Sequence, residues 1–258
     1  MEEVLIRVNN LCKNFKKDNT FFAKEQIEIL KNIDLAIYKN EMLGLIGESG
    51  SGKTTLGRIL VGLETPTTGS IEFNGEKLDF ASTSSRKYRQ EFQMIFQDIY
   101  NSFNPSMTIR EILREPIVNE KRKIQQQKIN QVLQKVGLSQ ELLDRNPEHL
   151  SGGQRQRVGI ARVLLSNPSL IVSDEIVSAL DVSIKAQILN LLKDIQKESG
   201  VTNLFISHDL GVVRYVCDRV AIMKDGEIIE INTCEEIFKN PKTDYTKLLI
   251  DSVPRLWQ

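Results

Sequence analysis

The run Leu43-Gly44-Leu45-Ile46-Gly47-Glu48-Ser49-Gly50-Ser51-Gly52-Lys53-Thr54 is four apolar-strand residues, a glycine-rich turn, then a lysine and a hydroxyl. Leu56, Ile59, Leu60 and Leu63 follow at helical spacing. Strand, glycine loop and helix in that order are what a phosphate-binding loop requires. Gly47, Gly50 and Gly52 let the backbone curl so that successive N–H groups converge on phosphate oxygens. The positive end of the helix starting near Lys53 faces the same anion. In that setting Lys53 reaches the β- and γ-phosphates of a nucleotide, and Thr54 offers its hydroxyl to Mg²⁺. The alternative is a flexible glycine turn that binds nothing.

A second glycine turn, Leu150-Ser151-Gly152-Gly153-Gln154, lies about a hundred residues further on and leads into a helix carrying Val158, Ala161, Val163 and Leu164. Ser151 is a good N-cap, so an ordinary capped helix start is one reading. An exposed helix N-terminus with glycines is also an anion site. A nucleotidase working alone has little use for a second phosphate-contacting turn. A nucleotide held between two subunits needs both.

Further chemistry gathers where short apolar strands end. Leu170-Ile171-Val172 runs into Ser173-Asp174-Glu175, which puts both carboxylates at a strand's C-terminal edge, where ligands of open α/β sheets bind. Asp174 can hold Mg²⁺, and Glu175 can orient and deprotonate an attacking water. By itself such a pair is an ordinary solvated turn; beside a phosphate loop it reads as function. Thr202 to Ile206 repeats the geometry and ends at Ser207-His208-Asp209. His208 is placed to hydrogen-bond a γ-phosphate, whereas consecutive residues cannot form a hydrolase triad. His149, the other histidine, reads as a surface or helix-entry residue. Gln97 closes the buried strand Met94-Ile95-Phe96; a lone glutamine is ordinarily a surface residue, but this position is also placed to sense metal and attacking water. Phe15, after the first strand, is placed to stack on adenine; core packing is the alternative, and Phe21 and Phe22 compete for the role.

The rest of the chain supplies a frame. Val4 to Val8 alternates like an edge strand, and Ile29 to Ile37 reads as another. Asn74-Gly75 and Asp225-Gly226 are hairpin signals. Between Gln97 and about Val158 helical patterns dominate, with Gly137 as a helix stop. Ile184, Ile188, Leu191, Leu192 and Ile195 mark a long amphipathic helix closed by Gly200. A mostly parallel α/β core interrupted by a helical insertion results, and Lys121-Arg122-Lys123 reads as a solvated helix start.

Hydrophobic residues make up 40% and charged residues 26%, as in ordinary globular proteins. Lys+Arg and Asp+Glu both number 34, so no global field favours nucleic acid or anionic lipid. The three cysteines, Cys12, Cys217 and Cys234, show no metal-ligand spacing and read as plain thiols of a reducing compartment. No apolar run approaches a membrane span, and Met1-Glu2-Glu3 begins no signal peptide. Service to a membrane would go through partners.

Together these motifs resemble the ATP-binding subunit of ABC transporters over nearly the whole chain. Gly47 to Thr54 looks like the Walker A loop, Leu170 to Asp174 like Walker B with Glu175 as catalytic glutamate, and Leu150 to Gln154 like the signature motif. Gln97 is similar to the Q-loop, Ser178-Ala179-Leu180-Asp181 to the D-loop, and His208 to the switch histidine. The resemblance implies an α/β P-loop NTPase (RecA-like) core over 1–97 and 159–234, with an N-terminal antiparallel β subdomain. A helical subdomain over 98–158 and a tail over 235–258 complete it. It implies ATP and Mg²⁺ as cofactors, held by Phe15, Gly47, Ser49, Gly50, Gly52, Lys53, Thr54 and Thr55, and across a dimer by Ser151, Gly153, Gln154 and Asp181. Thr54, Gln97 and Asp174 would hold the metal, and Glu175, His208 and Gln97 would carry hydrolysis.

Phe96-Gln97-Asp98, Asn101-Ser102-Phe103-Asn104-Pro105, Gln154-Arg155-Gln156-Arg157 and the tail Tyr245-Thr246-Lys247-Leu248-Leu249 narrow the resemblance to importers of oligopeptides, dipeptides and nickel or metal chelates. The implied partners are membrane permease subunits, a second ATP-binding subunit (a heterodimer favoured over a homodimer) and, indirectly, an extracytoplasmic solute-binding protein. Nucleic acid is not among them. The implied location is the cytoplasmic face of the cell membrane. Ile176 and Ile99 stand where such proteins usually have proline, and slower hydrolysis is expected; Asp244 replaces another. The cysteines of an iron–sulfur cluster found in related C-terminal regions do not occur before Gln258, so no cluster is expected. The rival readings are an exporter ATPase, a non-catalytic regulatory subunit, and a mechanical or DNA-repair ATPase, the last normally carrying a long coiled coil or zinc module.

Overall fold

A computed structural model describes residues 3–16, 26–79, 88, 90–99 and 102–252. In chain order its strands are β1 (Val4–Lys16), β2 (Gln26–Tyr38), β3 (Met42–Ile46), β4 (Thr68–Phe73), β5 (Glu76–Lys77), β6 (Phe92–Ile95), β7 (Leu170–Asp174), β8 (Thr202–Ser207), β9 (Arg219–Lys224) and β10 (Glu227–Thr233). The chain divides into two compact units, residues 1–89 with 202–258, and residues 90–201.

The first unit holds an antiparallel sheet in the order β2-β1-β4-β5 and a set of strands in the order β10-β9-β3-β8. All five residues of β3 are buried, as expected for a strand flanked on both edges by parallel neighbours, β8 and β9. Each fully buried Leu or Ile here contributes about 1.5–3 kcal/mol relative to exposure. Gly44 has a packing reason: a Cβ there would lie 2.6 Å from the Val213 side chain, so its bareness lets helix Leu210–Val216 lie against β3. The expected edge strand over Val4–Val8 runs on to Lys16. It pairs with both β2 and β4, with register shifts beyond Val8 and a left-handed Asn10 at φ 45°. These irregularities break the alternation that a sequence reading follows. Asn74-Gly75 and Asp225-Gly226 both turn with positive φ at each residue, the conformation such pairs favour in tight hairpins.

In the second unit β6 and β7 pair in parallel, and helices span Ile109–Arg114, Arg122–Lys135, Gly152–Leu165 and Val182–Ser199. Thr108 and Glu111 close a capping box on the first of these. The second ends beside Gly137 at φ 66° and buries Ile129, Val132 and Leu133, while Lys121, Arg122 and Lys123 are exposed at its start. Gly200, at φ 63°, closes the last. The result is the α/β P-loop architecture the sequence implies, with its antiparallel N-terminal sheet. Among the described residues no helix is long and apolar enough to cross a membrane.

Candidate nucleotide site

The glycine loop is tightly built. Lys53 is buried, and its ammonium donates to the carbonyls of Gly47 (2.8 Å) and Glu48 (2.7 Å) and to Ser51 Oγ (3.3 Å). Gly50 and Gly52 take φ 84° and 104°, values that side chains resist. A Cβ on Gly47 would stand 2.1 Å from the Met223 carbonyl oxygen, so glycine is required there by close approach. Ser49 and Gly50 are exposed at the crest, and Thr54 and Thr55 are half-buried in the first turn of helix Lys53–Leu60.

Two in-register strand ends set the site residues of this unit side by side. Ile46 pairs with Ser207, so His208, exposed, leaves β8 next to the point where Gly47 leaves β3. Its neighbours are otherwise engaged: Asp209 accepts the Val212 N–H (3.2 Å) and donates its own N–H to Ser207 Oγ (3.0 Å). That is a helix cap, not a triad. Phe15 is 39% exposed rather than packed in the core, with the Lys13 ammonium 4.6 Å from its ring centroid. Phe21 and Phe22 lie outside the described residues, as does Asn101.

The second unit repeats the device. Ile95 pairs with Ser173, bringing Gln97 beside Asp174 and Glu175, and Gln97 Nε2 donates to Glu175 Oε2 at 3.3 Å. Asp174 is buried. Glu175 has φ 48°, and its carbonyl accepts the N–H and hydroxyl of Ser178 (3.1 and 2.9 Å). Asp181 precedes helix Val182–Ser199 without a side-chain cap bond. Ser151 and Gln154 form a reciprocal box: Ser151 Oγ accepts the Gln154 N–H (3.3 Å), and Gln154 Oε1 accepts the Ser151 N–H (2.9 Å). Ser151 and Gly152 are exposed while Gly153 is buried, its missing Cβ leaving room for Ile184, whose methyl would otherwise sit 2.9 Å away. Ile99 packs against Gly159 in the same way, and Ile176 is buried. His149 is exposed beside Glu148.

Residues 30–178, which contain the glycine loop, Gln97, the Asp174-Glu175 edge and the second glycine turn, match the ABC transporter family. The chain belongs to that family. It is 44% identical over 262 residues to the oligopeptide transport ATP-binding protein OppF of Lactococcus lactis, covering 99% of this chain and 82% of that one. It is 43% identical to the dipeptide transport ATP-binding protein DppF of Haemophilus influenzae, covering 98% and 79%. Among solved structures it resembles cbiO1 of Clostridium perfringens, described as part of the ABC transporter complex cbiONQ, with TM-score 0.81 and 28% identity over 99% of this chain and 98% of that one. It also resembles the dimeric ATP-binding cassette MJ0796 bound to ADP and Pi, with TM-score 0.77 and 30% identity over 89% and 99%. As an ABC ATPase the protein binds and hydrolyses ATP to drive transport.

Some of this ABC ATPase's loop contacts escape a sequence reading. The Gly226 N–H donates to the Ser51 carbonyl at 3.2 Å, so the hairpin turn at Asp225-Gly226 braces the phosphate loop. Tyr245 also reaches it, accepting the Glu48 N–H at 3.2 Å. The hairpin was legible, but nothing in its spacing places it behind the loop. Among the described residues the three cysteines are free thiols. Burial pushes the pKa of Cys217 well up and also raises that of Cys234, so neither is poised to react.

Proposed function

We propose that this chain powers uptake of oligopeptides or dipeptides through separate permease subunits. The kinship with oligopeptide and dipeptide transport proteins at 43–44% identity supports that substrate class over nickel or metal chelates. It also favours an importer over the exporter and DNA-repair alternatives. Phe15 offers an exposed face to adenine. Gly47, Ser49, Gly50, Gly52, Lys53, Thr54 and Thr55 hold the phosphates, and His208 contacts the γ-phosphate. Glu175, oriented by Gln97, takes the proton of the attacking water. Ser151, Gly153, Gln154 and Asp181 serve the ATP of a second subunit, preferentially a different chain. The helical subdomain over 98–158 meets the permease at the cytoplasmic face of the membrane, and the solute arrives from an extracytoplasmic binding protein.

The residues present fit Mg²⁺. Mg²⁺ takes its ligands mainly from phosphates and water plus one or two hard protein oxygens, the kind of donor that a carboxylate and a hydroxyl supply. Thr54, Gln97 and the buried Asp174 would hold it, and when bound it neutralises phosphate charge.

The Gln97–Glu175 hydrogen bond carries the hydrolytic reading, because it ties a water-orienting amide to a general base at the ligand-binding edge. The test is co-expression with candidate permease and solute-binding proteins, followed by ATP-dependent uptake into vesicles. Accumulation of labelled di- to pentapeptides is expected; accumulation of nickel without peptide would overturn the substrate reading.

A further inference from the structure

The last helix among the described residues, Asp244–Asp251, is anchored to β10 by one buried carboxylate. Glu230 accepts the N–H groups of Lys242 (3.0 Å) and Thr243 (3.2 Å) and the hydroxyl of Thr246 (2.7 Å). That explains an inverted strand pattern in which Glu230 points in while Ile231 is 37% exposed. The anchor fixes the position of Tyr245, whose ring lies 4.9 Å from the Lys224 ammonium.

Tyr245 then touches one peptide unit of the phosphate loop. The Gly47–Glu48 peptide is planar and trans, so its C=O and N–H point in opposite directions. Its C=O accepts the Lys53 ammonium at 2.8 Å, and its N–H donates to the Tyr245 hydroxyl at 3.2 Å. Tilting this plane at one edge tilts the other. We propose that Tyr245 is a positioning residue for nucleotide binding, through which the anchored C-terminal helix sets the orientation of Lys53 and hence the affinity for the triphosphate.

The inference rests on Gly47–Thr54 holding the phosphates, so the experiment carries a control for that reading. ATP binding to the full chain is titrated calorimetrically for wild type, Tyr245→Phe, Thr246→Val, the double variant and Lys53→Ala. Tyr245→Phe keeps the ring and removes the acceptor. It is expected to weaken ATP binding about threefold to tenfold, the range of one neutral hydrogen bond. The unfolding midpoint without nucleotide should move by less than about 2 °C, and kcat at saturating ATP in the assembled transporter should stay within about twofold. Thr246→Val should weaken binding similarly, and the double variant should be no worse than the worse single. Affinity of Tyr245→Phe within about 1.5-fold of wild type would overturn the proposal. So would full additivity in the double variant, or an affinity loss that merely tracks a lowered unfolding midpoint. If Lys53→Ala also binds ATP normally, the loop assignment fails; if Lys53→Ala abolishes binding and Tyr245→Phe does nothing, only the positioning role does.

Discussion

Gln97 and Glu175 are 78 residues apart in sequence, yet the amide of one donates to the carboxylate of the other at 3.3 Å. The register of β6 on β7 produces the contact: Ile95 lies opposite Ser173, and both chains advance two residues past the pair. A slip of one residue would turn every side chain of β6 to the other face, and the amide would no longer meet the carboxylate.

Glu175→Gln removes the carboxylate proposed as general base while keeping shape and hydrogen-bonding capacity. ATP binding should be retained and turnover should fall by about 10²–10⁴, the usual worth of a positioned general base. Phosphate release from the assembled transporter checks it; turnover within threefold of wild type removes Glu175 from that role.

Ser151→Arg breaks the capping box with Gln154, a cost of about 1 kcal/mol, and puts a long cation on an exposed turn. Nucleotide binding by the monomer should persist, while ATP-dependent association should be lost. Analytical ultracentrifugation decides: a variant that dimerises normally with ATP contradicts a shared site.

Gly47→Ala and Gly50→Ala make the same chemical change with different neighbours. At Gly47 a Cβ meets the Met223 carbonyl at 2.1 Å, whereas at Gly50 it meets nothing within 4 Å. The first should cost about 1–3 kcal/mol of overpacking and weaken ATP binding about tenfold or more. The second carries only the strain of a left-handed alanine, about 1 kcal/mol. Equal ATP affinity in the two variants would show that close approach to Met223 does not constrain the loop.

Much of the fold could be read from the chain alone, because β3, β7 and β8 are short apolar runs that each end in a chemical signature. What could not be read depends on long-range pairing. The continuation of β1 past Val8 is hidden by bulges and paid for by two partner strands. Phe15 gave no sequence signal for or against core packing; its 39% exposure takes it out of the core. Glu230 carries no signal in the sequence, since only the folded tail reveals the three donors that converge on it.

That buried carboxylate predicts a pH dependence. Burial tends to raise the Glu230 pKa, but the Thr246 hydroxyl and the N–H groups of Lys242 and Thr243 outweigh it and hold the pKa below the usual carboxylate value. A lowered pKa in the folded state means stability that is complete above the ordinary glutamate range and lost as pH falls through the lowered value. Glu230→Gln should therefore destabilise the protein at pH 7 by about 1–3 kcal/mol. The gap to wild type should narrow below about pH 4. Denaturant titrations of both proteins at the two pH values test this, and a gap independent of pH would refute it.

The left-handed backbone at Glu175, φ 48°, sets up a conflict that laboratory evolution would expose. An extended acidic side chain is poorly suited to that conformation, whereas glycine or asparagine tolerates it well, and relief is worth about 1 kcal/mol. Libraries selected for heat resistance should therefore return to codon 175 repeatedly, yielding sturdier proteins that lack the proposed general base.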